Sequence, residues 1–260
     1  MDREKLFEDF LSQCKDKERQ EICGQGNPNA DILIIGKEPY CKKVIDPMKD
    51  RQDYLDHLER NYEHCRVNCF VRKTCKNFDY YKQKYQDYNV DQKSFNELSS
   101  TWKNYQTLLY KIYEGIEYHE EDKNIIDFER FAYTTELSSM PRPKADYDAA
   151  KEMINKRLLF FKESEFIQSF PVIILACREY IHNRNDDDRQ IDNTFHVKYD
   201  GDETGKHDIG SGFWFYTHHS DDGSKKQLVI HTRQFSHLYN KGNDFIVGIA
   251  GVVREHLNIE

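Results

Sequence analysis

The sequence predicts an α/β protein: a three-layer α/β/α sandwich built on a four-stranded, mostly parallel sheet, with a helical insertion. Three observations predict it. Four short β-like runs stand out, near-continuously apolar or rich in β-branched and aromatic residues, as strands of a parallel sheet buried on both faces are. Stretches with helical spacing of apolar residues separate them, the alternation expected of a layered α/β domain. The chain has 260 residues, 38% of them hydrophobic, enough for one packed domain spanning 1–260.

The elements follow in chain order. Leu6, Phe7, Phe10, Leu11 and Cys14 fall on one helical face, so the charged N-terminal segment reads as an amphipathic helix. It has no apolar stretch of the kind a secretory signal carries. Ala30 to Ile35 is the first strand-like run and ends at Gly36. Residues 41–125 are far longer than one crossover helix requires, and read as a helical insertion or an elaborated crossover; they hold 10 of the 17 tyrosines. Phe131 to Thr135 is the second run and Pro171 to Ala176 the third. Between them, Tyr147, Ala150, Met153, Ile154, Leu158 and Phe161 mark a helix over Lys144 to Phe161. Residues 184–208 read as an acidic, exposed loop. Phe213 to Thr217 pairs antiparallel with the fourth run, Gln227 to Ile230, through the hairpin signal Asp222-Gly223. Asn243 is placed to cap a last helix whose apolar face is Phe245, Ile246, Ile249, Val252, Val253 and Leu257.

Composition excludes several classes. No run of 18 apolar residues exists, so no membrane span is expected. A net charge of −8 argues against a protein that coats nucleic acid non-specifically, since such binding depends on neutralising phosphates. The charge is unevenly spread: residues 184–208 sum to −4, whereas 64–84 sum to +5 with Phe70, Phe78, Tyr80 and Tyr81 interleaved. Such a strip, including Arg72 and Lys73, tracks phosphates while its aromatics stack on bases, or else is the solvated face of an amphipathic helix. Seven cysteines, an odd number, with no signal segment favour reduced thiols inside a cell; a cytoplasmic protein is expected, and separately a monomer. Cys65, Cys69 and Cys75 are the densest group. Their spacing is not a standard zinc signature, so buried reduced thiols are favoured over a shared metal, and no cofactor is expected.

In an open α/β sheet, ligands bind beyond the carboxyl ends of the strands. Those ends carry Gly36-Lys37-Glu38-Pro39-Tyr40, Glu136-Leu137-Ser138-Ser139, Cys177-Arg178-Glu179 and His231-Thr232-Arg233-Gln234-Phe235-Ser236. Carboxylates, a histidine, arginines and aromatics are therefore expected on one rim.

These segments resemble the uracil-DNA glycosylase superfamily. The lead-in Gly24-Gln25-Gly26-Asn27-Pro28-Asn29-Ala30 is similar to that of the thermophile-type branch, while Gly36-Lys37-Glu38-Pro39-Tyr40 resembles the G-Q-D-P-Y loop of the common uracil-excising branch. Thr135-Glu136-Leu137 falls where the family has an Asn-bearing strand end, and the segment from His231 to Ser236 resembles its H-P-S-P-L-S loop. The likeness covers roughly residues 20–40 and 125–257 and leaves the insertion unexplained.

The resemblance implies a monofunctional DNA glycosylase that hydrolyses the N-glycosidic bond of a flipped, damaged or modified base. Glu38 then places the water and favours the developing sugar cation; His231 stabilises the departing base. Gly36, Lys37, Pro39, Tyr40, Glu136 and Thr135 line the base pocket. Phe235 is the wedge in the base stack, and Ser236, Arg233, Arg72 and Lys73 contact DNA. Two departures matter. Glu136 stands where the family has a base-reading Asn; a carboxylate only accepts hydrogen bonds, which favours an amine-bearing, cytosine-like base. A one-residue slip would place Thr135 in the pocket instead. The four-cysteine iron–sulfur pattern is missing, since Lys17 and Met140 lie near two of its ligand positions. A catalytically silent nucleic-acid-binding protein and a glycosidase acting on free nucleosides are the alternatives.

Overall fold

The computed structural model describes residues 3–16, 21–39, 42, 44–74, 100–113, 128–183, 188–236, 238 and 242–259, with 63–74 and 130 described by backbone alone. Tyr40, Cys75 and the side chains of Arg72, Lys73, Cys65 and Cys69 lie outside the described residues.

The strands are β1 (Gln25–Gly26), β2 (Ile32–Gly36), β3 (Ala132–Glu136), β4 (Val172–Leu175), β5 (Val197–Tyr199), β6 (Lys206–Gly210), β7 (Phe213–Ser220) and β8 (Leu228–Thr232). They form one eight-stranded sheet in the order β1-β3-β2-β4-β8-β7-β5, with β6 paired to β7. The four apolar runs are its centre, β3-β2-β4-β8, and all three pairings among them are parallel. The sheet has eight strands where the sequence predicts four. The additions are antiparallel: β1 on β3, β7 on β8, and β5 and β6 on β7. Their residues explain the shortfall, because β1 is two residues long and β6, Lys-His-Asp-Ile-Gly, carries no apolar run.

Period-two alternation splits each central strand between two cores. Leu33 and Ile35 of β2, Ile173 and Leu175 of β4 and Val229 of β8 face helices α1 (Arg3–Lys15), α4 (Tyr147–Glu163), α5 (Glu165–Gln168) and α6 (Gln190–Phe195), meeting Phe7, Phe10, Phe161, Phe166 and Phe195. Ile32, Ile34, Ile174 and Ile230 face the other way, onto Leu108 and Leu109 of α3 (Ser100–Ile112) and Phe245, Ile249 and Val253 of α7 (Gly242–Leu257). Both faces of the central strands are covered, which is why β2 and β4 carry no polar side chain.

Three local readings change. Helix α3 lies within the 41–125 segment yet forms half of the second helical layer, so that part is a crossover belonging to the core rather than an appendage. Helix α2 (Arg51–Thr74) sits at the edge, where Tyr54 and Leu58 bury against Ile22 and Ile45. Residues 188–208 are not a loop: they contain α6, β5 and part of β6, and Ile191, Phe195 and Val197 are buried. Asn243 lies inside the first turn of α7 rather than before it.

The turn between β7 and β8 contains Gly223 at φ 72°, a left-handed conformation that glycine adopts without penalty. No helix among the described residues is long and apolar enough to cross a membrane.

Candidate functional site

The parallel strands deliver Gly36 to Pro39, Glu136 to Arg142, Cys177 to Tyr180 and His231 to Arg233 to one end of the sheet. Backbone hydrogen bonds extend the β2–β3 pairing beyond the strands: the Leu137 N–H donates to the Gly36 carbonyl (2.9 Å), Ser138 to Lys37 (2.9 Å) and Arg142 to Pro39 (3.0 Å). The two acidic loops are thus stitched together before any side chain is considered.

Glu38 is half-buried with both oxygens engaged. The Tyr180 hydroxyl donates to Oε2 at 2.7 Å, and the Asp146 backbone N–H donates to Oε1 at 3.2 Å. Burial raises the Glu38 pKa above the usual carboxylate range, while Tyr180, Arg142, the Asp146 N–H and Lys37 oppose the rise. Arg142, buried, also bridges to Asp146 (3.2 Å), the residue that caps α4. Lys37 is buried, donates to Glu179 (2.9 Å) and lies 4.8 Å from the centre of the Tyr180 ring. Its ammonium is occupied as an ion-pair donor joining the β2 and β4 loops, not presented as a free amine.

Glu136 lies on the α3 side of β3. Its Oε2 is enclosed and has no hydrogen-bond partner among the described residues. That oxygen sits over the bare α-carbon of Gly36, so any side chain at position 36 would overlap it. Burial and the neighbouring Glu38 push the Glu136 carboxyl up to about 8, with Arg157 acting against them. At neutral pH it is mostly a neutral acid with one donor and one acceptor. The acceptor-only reading of Glu136, on which the expectation of an amine-bearing base rests, belongs to its ionised form. Thr135 points the opposite way along the strand, where its hydroxyl accepts from Arg157 (2.8 Å). It is therefore not a pocket residue here.

Arg157 lies in the apolar stripe of α4 and is 0% exposed. Its guanidinium donates to Glu21 (3.0 Å), to the Ile22 carbonyl (2.7 Å), to Thr135 and to the Glu136 carbonyl (3.0 Å). Glu21 also accepts from Ser139. This buried pair ties the lead-in segment, the end of β3 and the following loop to one helix.

His231 is 8% exposed at the end of β8. Its Nε2 lies 2.9 Å from the Arg178 carbonyl. A carbonyl only accepts, so Nε2 carries the ring proton. Burial drives the imidazole down to about 4, leaving it neutral at physiological pH. Trp214 and Tyr216 of β7 flank the ring, with centroids 5.3 and 6.2 Å away. Arg178 itself has φ 50°, a strained conformation for a residue with a side chain, at the point where its carbonyl meets His231.

Of the residues expected to touch DNA, Arg233 is part-exposed, donates to the Gly212 carbonyl (3.0 Å) and stacks on Phe213 (4.5 Å). Ser236 is part-exposed. Phe235 is not a wedge in this structure: it is 0% exposed and packs on Tyr105 and Phe245 in the second core, at 5.4 Å from each ring. An apolar residue two positions after a rim arginine reads equally as core, and α3 supplies the missing wall.

Sequence reasoning missed Tyr180, Arg142, Asp146 and Arg157. Tyr180 was within reach, one residue beyond the nominated end of β4. Arg157 left a signal, a lone charge in the stripe of Ile154, Leu158 and Phe161, but its partner Glu21 is 136 positions away.

Among the described residues no three or more His, Cys, Asp or Glu side chains are grouped so that they could hold a metal ion. Cys14, Cys23 and Cys177 are buried and outside any disulfide. Comparison with known protein families, curated proteins and solved structures gives no match.

Proposed function

We propose that this protein is an N-glycosidase that hydrolyses the bond between a nucleobase and deoxyribose, acting on a base turned out of DNA. The observation that carries this reading is the placement of Glu38. It is a half-buried carboxylate fixed through both oxygens, on the same rim as Glu136 and the neutral imidazole of His231.

Glycosidic cleavage passes through a sugar cation and a departing anionic base. Glu38 as a carboxylate orients a water toward C1′ and stabilises the cation; the water oxygen bonds to C1′ as the C1′–N bond breaks. The bond electrons leave with the base, and the water proton passes to solvent through Glu38. His231 stabilises the anion by donating Nε2–H to a base oxygen, which then replaces the Arg178 carbonyl as acceptor. A buried donor of this kind is worth roughly 3 kcal/mol of transition-state stabilisation. The ring needs no pH-dependent charging for this role, because its low pKa keeps it neutral. Arg233, held on Phe213, is a rim cation suited to a phosphate.

One observation favours a second reading, hydrolysis of free nucleosides. Burial of Phe235 removes the expected wedge, and a free nucleoside needs none. Base release from modified-base single strands and duplexes, measured beside the corresponding nucleosides, separates the two. The DNA reading expects release from DNA that Glu38→Gln and His231→Ala abolish without unfolding the protein. Release from nucleosides alone supports the second reading, and no release from either overturns both.

A further inference from the structure

The antiparallel addition to the sheet carries two aromatic rings that lie outside both cores. Phe213 and Phe215 of β7 point into the second core, so Trp214 and Tyr216 point to the opposite face. Both are part-exposed, and among the described residues neither packs into a hydrophobic cluster. Tyr216 is the direct cross-strand partner of His231; the two rings stack with planes 28° apart and centroids 6.2 Å apart. Trp214 meets His231 edge-on at 5.3 Å and lies 5.1 Å from Tyr216. The candidate imidazole is thus the inner end of an aromatic shelf that continues outward along β7.

Charge is divided across this shelf. On the rim side stand two cations: the exposed guanidinium of Arg178, whose carbonyl meets His231, and Arg233, two residues beyond His231. On the outer side, the edge strand β6 sets Asp208 opposite Trp214 and Lys206 opposite Tyr216. Asp202 and Glu203 are exposed in the turn before β6, and Asp202 accepts from the Tyr199 hydroxyl (2.9 Å). Three exposed carboxylates against one lysine make that edge acidic.

We propose, resting on the glycosidase reading, that Trp214 and Tyr216 are a stacking shelf for the base beside the extruded one, and that the substrate is single-stranded DNA. A base inside a duplex is stacked on both faces and paired at its edge, so it has no face to offer a side chain. A single strand offers one at every nucleotide, and an aromatic shelf accepts any of them, since every base has a π-face. Its phosphates meet Arg178 and Arg233. Neighbouring strands are only about 5 Å apart, so a second DNA strand reaches past β7 and brings its phosphates against Asp202, Glu203 and Asp208. The burial of Phe235 agrees with this choice: a duplex needs an apolar group to fill the gap left by an extruded base, and a single strand does not. A single strand also spares the cost of unpairing.

The test measures binding of this chain to labelled oligonucleotides of about twelve nucleotides. Three are compared: a single strand of mixed sequence, a strand of equal length made only of abasic residues, and the duplex of the mixed sequence. The mixed single strand is expected to bind about tenfold tighter than either of the others, or more. It should also quench tryptophan emission, which the abasic strand should not. Trp102, the other tryptophan, packs on the second core, so Trp214→Phe should remove the quenching while keeping much of the affinity. Trp214→Ala and Tyr216→Ala are each expected to weaken the mixed strand about tenfold and to change the abasic strand by less than about twofold. Duplex binding as tight as that of the single strand overturns the proposal. So does an equal loss on both strands in the alanine variants, or quenching that survives in Trp214→Phe. Base release is assayed separately on the same strands. Stacking as expected without release refutes the glycosidase reading and leaves the shelf standing. Release from duplex at a rate unaltered in Trp214→Ala overturns the shelf and leaves the glycosidase reading standing.

Discussion

Oε2 of Glu136 lies over the bare α-carbon of Gly36, so the strand that opens the sheet is notched for the acid on its neighbour. Gly36 has no positive φ; it is glycine for room, not for backbone freedom. Gly36→Ala should push the carboxyl out of its niche. The expected result is a loss of about tenfold or more in affinity for a base-bearing oligonucleotide, with stability reduced by only about 1–2 kcal/mol. Unchanged binding would show that the niche does not position Glu136.

Arg157 and Glu21 form a buried pair, at 0% and 8% side-chain exposure. Removing one partner strands the other. Arg157→Met is expected to cost about 3–5 kcal/mol in urea unfolding, because Glu21 is left charged and enclosed. Arg157→Met combined with Glu21→Gln should recover part of that loss, as contacting residues are not additive. Equal stability of the single and double variants would mean that Glu21 finds water when Arg157 is gone.

Tyr180 positions Glu38 through a hydroxyl that favours the ionised carboxylate. Without it, the Glu38 pKa rises. In Tyr180→Phe the acidic limb of kcat/KM is therefore expected to move upward by about one pH unit, the scale of a hydrogen bond to a charged group. The rate at alkaline pH should change far less. A uniform fall at all pH values would point to displaced geometry rather than a shifted titration.

The central sheet was legible because β2 and β4 are apolar at consecutive positions, as burial on both faces requires, and β3 and β8 are rich in β-branched and other large apolar residues. The strand ends followed from topology alone, and Glu38, Glu136 and His231 do share one rim. Edge strands were not legible, since β1 and β6 pair through backbone groups and carry polar or glycine residues. Phe235 shows the limit of motif position. Its place after β8 suits a wedge, but Phe245 of the following helix and Tyr105 of α3, far away in sequence, enclose it. The raised pKa of Glu136 was equally hidden, because it depends first on burial and then on Glu38 from a different strand end.

His231 gives a pH signature independent of any activity. In the unfolded chain its imidazole takes a proton near pH 6.5, whereas burial in the folded protein delays that to about 4. Between these values the unfolded state binds more protons, so stability falls as pH falls. The contribution is fully present above pH 6.5 and is lost progressively down to about 4. His231→Gln keeps a neutral donor for the Arg178 carbonyl but cannot titrate. Relative to this variant, the wild-type protein is expected to lose about 2 kcal/mol between pH 7.5 and 4.5, after allowance for partial relaxation around the charged ring. Taking the difference between the two proteins cancels the titration of all other groups. A difference that stays constant over this range would show that the ring charges freely, and that the bond to Arg178 opens to let it do so.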